Sequence, residues 1–193
     1  MGRIVVTEFV SLDGVMEDPG GAEDFEHGGW SFEFDRGEAG NKFKLDETLA
    51  SDALLLGRVT YEGFAAAWPQ REGEFADKFN QMPKYVVTSS PSELEWSNST
   101  AVDGDLGEEV ARIRERHDRD VVVHGSAQLA QELLDRELVD ELRLMVFPVV
   151  LGSGKRLFGE TNDKKQLQLV GSEVVGDGVA ILTYAPVRAE ATD

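Results

Sequence analysis

The chain has 193 residues, no cysteine and a formal net charge of −18, from 37 acids against 19 bases. That length is one domain, residues 1–193 with a core over 3–186, and the lack of cysteine removes disulfides, thiolate zinc sites, iron–sulfur clusters and cysteine nucleophiles together. The charge repels a nucleic-acid backbone or an anionic membrane surface, no apolar run reaches the length of a membrane span, and Met1-Gly2-Arg3-Ile4-Val5-Val6 runs into strand-like sequence with no signal peptide, so a cytoplasmic protein is expected.

Residues 3–10 (RIVVTEFV) are rich in β-branched side chains, which predicts a strand. Ser11-Leu12-Asp13-Gly14 breaks it, and a polar, glycine-rich loop runs on to Gly29. Between Glu17 and Glu38 eight acids stand against one base, Arg36, and read as a solvated surface. Phe43, Leu45 and Leu49 predict a helix over 36–51. Ala53-Leu54-Leu55-Leu56 is a continuous apolar run ending at Gly57, as expected of a strand covered on both faces. The next helix carries Tyr61, Phe64, Ala65 and Trp68 on one side and stops before Pro69. Residues 84–88 (KYVVT) give another buried strand, and the spacing of Leu106, Val110 and Ile113 gives a helix over 106–117. Val121-Val122-Val123 is a further buried strand, closed by Gly125, and the helix after it turns Leu129, Leu133, Leu134 and Leu138 inward. Then the pattern changes: 141–150, 165–175 and 178–186 alternate or run apolar, with Gly176-Asp177-Gly178 as a tight turn. The chain therefore reads as α/β, a mostly parallel central sheet with helices on both faces and an antiparallel C-terminal hairpin added to the same sheet.

In open α/β sheets, ligands bind at the carboxyl ends of the strands, where helix N-termini offer free N–H groups. Gly57-Arg58-Val59-Thr60, Thr88-Ser89-Ser90 and Gly125-Ser126-Ala127-Gln128 each follow a buried strand. Glycine lets the backbone approach a phosphate closely. Thr60, Ser89, Ser90 and Ser126 bring neutral hydrogen bonds, and Arg58 brings a fixed positive charge to an acidic protein. Together these residues outline a site for a phosphate-bearing nucleotide; taken singly, each glycine is also a plain turn and each Ser or Thr a plain N-cap. No GxGxxG follows the first strand and no GxxxxGK[ST] occurs, which argues against the usual dinucleotide fingerprint and against a kinase or NTPase.

The segment Leu55-Leu56-Gly57-Arg58-Val59-Thr60-Tyr61-Glu62 resembles the GRxT(Y/F)E segment of dihydrofolate reductases. Val86-Val87-Thr88-Ser89-Ser90 resembles their following strand and nucleotide-contacting loop, and Val122-Val123-His124-Gly125-Ser126-Ala127 is similar to their Gly-Gly pyrophosphate segment. From Ser11-Leu12-Asp13-Gly14 to Pro148-Val149-Val150-Leu151-Gly152-Ser153-Gly154, the chain more closely resembles a sister group. That group is the reductase domain of the bifunctional riboflavin-biosynthesis deaminase–reductase, with its stand-alone relatives. The resemblance implies a dihydrofolate reductase-like three-layer fold, NADPH as cofactor, and hydride transfer to a small heterocyclic substrate, pteridine- or pyrimidine-like. It implies cofactor contacts at Gly57, Arg58, Thr60, Thr88, Ser89, Ser90, Gly125, Ser126, Ala127, Gln128 and Leu129, with Arg58 on the 2′-phosphate. Three departures matter. Glu23, Asp24, Glu26, Glu33 and Asp35 fall in no motif matching the pteridine-binding acid, which argues against folate. Ser126 replaces the second glycine of the pair, which argues against a cis peptide of the Gly–Gly kind. The deaminase half needs a zinc site with paired cysteines, which this sequence lacks.

Around the substrate, Asp13 lies just past the first strand and reads either as a group that orients the substrate or supplies a proton, or as an Asx-turn with Gly14. Trp30 either walls a pocket or plugs the core. Val150 at the end of its strand, with Gly152-Ser153-Gly154 after it, closes the pocket floor; Lys155 and Arg156 are either anion contacts or a surface turn. His124 reads as packed, and His27 and His117 have no partner spacing, so no metal is expected. Leu142, Leu144 and Val146 face one way and Met145 and Phe147 the other, with no evident second cover, which predicts a homodimer. The reading is an NADPH-dependent reductase of a small molecule. One alternative is 5-amino-6-(5-phosphoribosylamino)uracil reductase, whose substrate phosphate needs a second basic cluster that Lys155–Arg156 alone offers. The other is a non-catalytic nucleotide-binding module.

Overall fold

The computed structural model describes residues 1–90, 94–160 and 163–187. Eight strands form: β1 (Arg3–Ser11), β2 (Ser51–Gly57), β3 (Lys84–Val87), β4 (Ser99–Val102), β5 (Asp120–Val123), β6 (Glu141–Phe147), β7 (Leu167–Val175) and β8 (Val179–Pro186). They make one sheet in the order β4-β3-β2-β5-β1-β6-β8-β7. β1 to β6 pair in parallel, and β8 pairs antiparallel with both β6 and β7.

Successive residues of a strand point to opposite faces, so an unbroken apolar run needs cover on both sides. Leu54, Leu56 and Val122 pack on one face against Tyr61 of α2 (Arg58–Ala67) and Phe79 of α3 (Glu74–Gln81). Ala53, Leu55, Val121 and Val123 pack on the other against Val110 and Ile113 of α4 (Leu106–Arg116) and Ala130 and Leu133 of α5 (Ala127–Asp135). α1 (Gly37–Ala50) lies on the first face, where its Lys44 and Glu47 reach Thr7 of β1. The result is three layers, and it puts the chains leaving β2 and β5, which are sheet neighbours, on opposite faces.

The expected elements form, with shifts at their ends. β6 stops at Phe147 rather than running to 150, because Pro148 has no N–H to give a neighbouring strand. α5 ends at Asp135, and Leu138 packs on the core from the turn beyond it, its N–H bonded to the Leu133 carbonyl. Two elements lay outside the expectation, α3 and the short, half-exposed edge strand β4. The premise of the homodimer also changes. Leu142 and Leu144 are covered by the α4–α5 face, and Met145 and Phe147 by Trp30, Phe34 and Phe43, so β6 is sealed within one chain. The exposed apolar side chains of the tail are instead Leu169, Val170 and Val174 of the edge strand β7. No helix among the described residues is long and apolar enough to cross a membrane.

Lys84 on β3 is fully buried and donates to the carbonyls of Asn80, Met82 and Ser97 at 2.7, 2.8 and 3.0 Å, with its ammonium 4.2 Å from the Trp96 ring centre. It anchors the segment leading into β4. Lys84→Met leaves three carbonyls short of a donor and is expected to cost on the order of 2 kcal/mol of stability, read as a lower urea midpoint.

Candidate functional site

β2 leads into α2 on one face and β5 into α5 on the other, so a crevice opens between their carboxyl ends. Two glycines hold its walls together. The Gly57 N–H donates to the Gly125 carbonyl at 3.1 Å. A Cβ on Gly57 would lie 2.4 Å from Ser126 Oγ and 3.0 Å from Ser126 N. Gly125 has φ +102°, and a Cβ there would lie 2.9 Å from Thr60 Oγ1 and 3.7 Å from Met16 Cε. The peptide bond Gly125–Ser126 is cis, so Ser126 in place of a second glycine does not prevent that geometry, contrary to expectation.

Both helix starts present backbone N–H groups for which the helix itself offers no carbonyl. α2 begins at Arg58 with no side-chain cap, since Gly57 stands in the cap position. α5 is capped by Ser126, whose hydroxyl accepts the Leu129 N–H at 3.5 Å and leaves those of Ala127 and Gln128 open. The third loop joins through Arg58, whose Nη1 reaches the Ser90 carbonyl at 3.5 Å. Ser89 and Ser90 are exposed, while the Thr88 hydroxyl is taken up locally, accepting from the Ser90 N–H at 3.1 Å. Arg58 also donates from Nε to Glu62 at 2.6 Å. The three strand-end segments read from the sequence thus meet. N–H groups at two helix starts, glycines that admit no side chain and two hydroxyls suit a pyrophosphate. A separate surface cavity of about 770 Å³, lined by Arg58, Tyr61, Glu62, Asn80 and Trp96, lies on the outer flank of α2 and shares only Arg58 with the crevice.

Other expected residues fall elsewhere. Leu129 is buried in the core, so its side chain packs under α5 instead of meeting a cofactor. Trp30 is 1% exposed, stands edge-on to Phe147 and donates its indole N–H to the Glu17 carbonyl at 2.8 Å; it is a core plug and presents no face to a pocket. Asp13 is not a proton source. Its carboxylate accepts from the Ser11 hydroxyl at 2.6 Å and from the N–H groups of Leu151 and Gly152 at 3.1 and 2.9 Å, and it faces Arg156 at 3.5 Å. The Ser11 hydroxyl, with these backbone donors, lowers it to about 2. Asp13 ties the loop after β1 to the loop after β6, and Gly152 is its partner in that tie. Val150 stays on the rim, 67% exposed, next to the equally exposed Leu12. Lys155 pairs with Glu17 at 2.8 Å, so this turn's bases are both matched by acids. His124 lies 5.4 Å from the Phe79 ring and is held down at about 3 by burial, with Lys44 adding to it; it is neutral and packed, as read.

Replacing Asp13 by Ala is expected to cost about 1–2 kcal/mol near neutral pH by freeing the two loops. A depressed carboxylate stabilises the fold above its unfolded value and loses that contribution as pH falls through its folded value. Melting curves of parent and variant should therefore converge between about pH 4 and pH 2.

Sequence reasoning missed Glu8 and Met16. Met16 marks where the loop after β1 reaches Gly125, its N–H held by the Lys155 carbonyl at 2.9 Å. Glu8 was visible as the one charge between Ile4 and Val10.

Comparison with known proteins agrees with this architecture. The profile of the RibD C-terminal domain matches residues 3–181. The uncharacterized protein YwjB of Bacillus subtilis (strain 168) is 30% identical over 172 residues, 89% of this chain and 91% of its own. A crystal structure from Shewanella sp. PV-4, of a candidate riboflavin biosynthesis protein, superposes with TM-score 0.78 at 23% identity, covering 96% of this chain and 99% of the other. Dihydrofolate reductase from Enterococcus faecalis, solved with NADP(H), gives TM-score 0.59 at 16% identity, covering 97% and 98%. With its parallel sheet, antiparallel tail and strand-end crevice, the chain has a dihydrofolate reductase-like fold and belongs to the RibD C-terminal domain family.

Proposed function

We propose that the chain is an NADPH-dependent reductase acting on a small, unphosphorylated heterocycle or its imine. The observation that carries this reading is the crevice, where two helix N-termini converge on glycines whose Cβ positions are already filled. A reduced nicotinamide bound there supplies the hydride. The chain supplies binding and orientation. N–H groups at the starts of α2 and α5 hold the pyrophosphate, the Thr60 and Ser126 hydroxyls flank it, and Arg58 with the 88–90 loop receives the 2′-phosphate. The NADP(H) complex of the Enterococcus enzyme, on the same fold, supports this choice of cofactor.

On the substrate side, Lys155 and Arg156 face three acids, Glu17, Glu23 and Asp13, so a substrate phosphate there meets more negative than positive charge. Leu12 and Val150 offer an apolar rim instead. These features favour a neutral ring over the phosphoribosylamino-uracil. Loss of the nicotinamide absorbance, followed over a panel of pteridines, pyrimidines and cyclic imines with and without a ribosyl phosphate, is the test. Turnover is expected with neutral members. NADPH binding without turnover of any member points to the non-catalytic module, and no NADPH binding refutes the reading. A homodimer through the exposed apolar face of β7 goes with this proposal, and sedimentation as a stable monomer at micromolar concentration removes it.

A further inference from the structure

We propose that Glu8 is the acid that protonates the substrate nitrogen as the adjacent carbon is reduced in the crevice, an inference that rests on the reductase reading above. β1 outruns β5. Their last paired residues are Val6 and Val123, so Thr7 and Glu8 lie alongside His124 and Gly125, where the chain has left β5. On the other side the ladder continues, with Glu8 opposite Leu144. Glu8 is thus held by β6 and borders the gap beside Gly125. Strand alternation puts its side chain on the face of Val6 and Val10, which also carries Met16, the residue whose Cε approaches Gly125.

Glu8 is 7% exposed, and its Oε1 has no hydrogen-bond partner among the described residues. The other carboxylates nearby are engaged. Asp13 holds two loops, Glu17 holds Lys155, and Glu47 accepts from Thr7 and Lys44 and pairs with Arg143. Two more buried oxygens lack partners, but Asp18 is tied through its other oxygen to the Ala22 N–H, and Thr48 lies near the end of α1, at the opposite edge of the sheet. A lone buried carboxylate is costly. Burial pushes Glu8 well above the ordinary carboxylate range; Lys44 of α1 opposes this and Glu47 of α1 adds to it, while the neighbouring His124 is neutral. Burial without a partner on Oε1 thus favours the protonated form of Glu8. In the proposed step the substrate C=N carbon takes the hydride that a reduced nicotinamide supplies, and the nitrogen takes the Glu8 proton. The N–H bond forms as the Glu8 O–H bond breaks, and the carboxylate regains its proton from water.

The test counts protons on cofactor binding, by titration calorimetry in two buffers of different ionisation enthalpy, for the parent and Glu8→Gln. NADP⁺ and NADPH share every phosphate and differ in the charge of the ring. If Glu8 borders that ring, the cationic form lowers its affinity for a proton. The parent is then expected to release up to about one proton more with NADP⁺ than with NADPH near pH 7, and Glu8→Gln none. Equal proton counts for the two cofactors in the parent overturn the proposal. Stability gives a second measure. A carboxyl whose folded value is raised loses stability as pH climbs above its unfolded value. Glu8→Gln should therefore melt higher than the parent near pH 8, with the difference closing towards about pH 4; a variant that melts lower near pH 8 contradicts a protonated Glu8. If the parent binds neither cofactor, the reductase reading itself fails, a result distinct from binding with equal proton counts.

Discussion

Gly125→Val is expected to leave a folded protein that has lost NADPH binding by a factor of about a hundred or more. Two effects combine at this position. At φ +102° an L residue is strained, and a β-branched one most of all. A Cβ there lies 2.9 Å from Thr60 Oγ1, and the valine methyl groups reach further, into the space between the start of α2 and Met16. On the proposed reading, that space holds the pyrophosphate against the N–H groups of the two helix starts. The strain and the contact should together cost about 3–4 kcal/mol of stability, within the margin of a typical domain. Urea denaturation reads the stability and fluorescence titration the affinity, and the two are separable because binding is measured well below the unfolding midpoint. Gly125→Ala carries the strain with less intrusion and should bind NADPH with an intermediate loss. A folded Gly125→Val that binds NADPH as the parent does would reduce the junction to a turn and remove the main support for the cofactor reading.

The parts of the fold that were legible in the sequence are those whose signal is local and strong. Ala53–Leu56 and Val121–Val123 are unbroken apolar runs, and such a run needs cover on both faces, which by itself implies helices above and below a parallel sheet. Glycine and small polar residues after each strand marked the crevice, because the requirement for close backbone approach is written into the residue type. What was not legible depends on partners far away in the chain. β4 is four residues of mixed polarity that form a strand because β3 offers an edge, and nothing in Ser-Thr-Ala-Val announces it. Asp13 read either as a reactive group or as an Asx-turn; Ser11 bonds it locally, but Leu151 and Gly152, 138 and 139 residues away, complete its hold and decide the matter. Trp30 read as pocket wall or, more readily, core plug, and the distant Phe147 ring with the Glu17 carbonyl makes it the plug. Glu8 is the opposite case. Strand geometry over 3–10 already put Glu8 on the face of Val6 and Val10, and only the lack of a partner for its Oε1 among the described residues, which the fold alone reveals, gives that carboxyl meaning.

On the proposed reading, Arg58 is expected to decide between NADPH and NADH. NADPH carries an additional phosphate into a protein of net charge −18, so the preference needs a local base. Arg58 opens α2, directly after the glycine that meets Gly125, and its guanidinium reaches the Ser90 carbonyl at 3.5 Å, which brings it beside the exposed Ser89 and Ser90. Its Nε is bonded to Glu62 at 2.6 Å, one turn along the helix. That pair is half exposed, since the Glu62 side chain is 58% accessible, and an exposed pair of this kind contributes about 0–1 kcal/mol. A phosphate bound by arginine through charge-assisted bonds gains about 1.5–3 kcal/mol, more than the exchange with Glu62 costs. Arg58→Ala is therefore expected to weaken NADPH by roughly tenfold to a hundredfold and to leave NADH nearly unchanged. Glu62→Gln releases the guanidinium from its competitor and should tighten NADPH by up to about fivefold, again without effect on NADH. Titrating both cofactors against parent and both variants separates two roles for the same side chain. If Arg58 serves the 2′-phosphate, the two substitutions move NADPH affinity in opposite directions. If it only fixes the first turn of α2, Arg58→Ala weakens NADPH and NADH equally and Glu62→Gln weakens them too, because either change breaks the same helix pair.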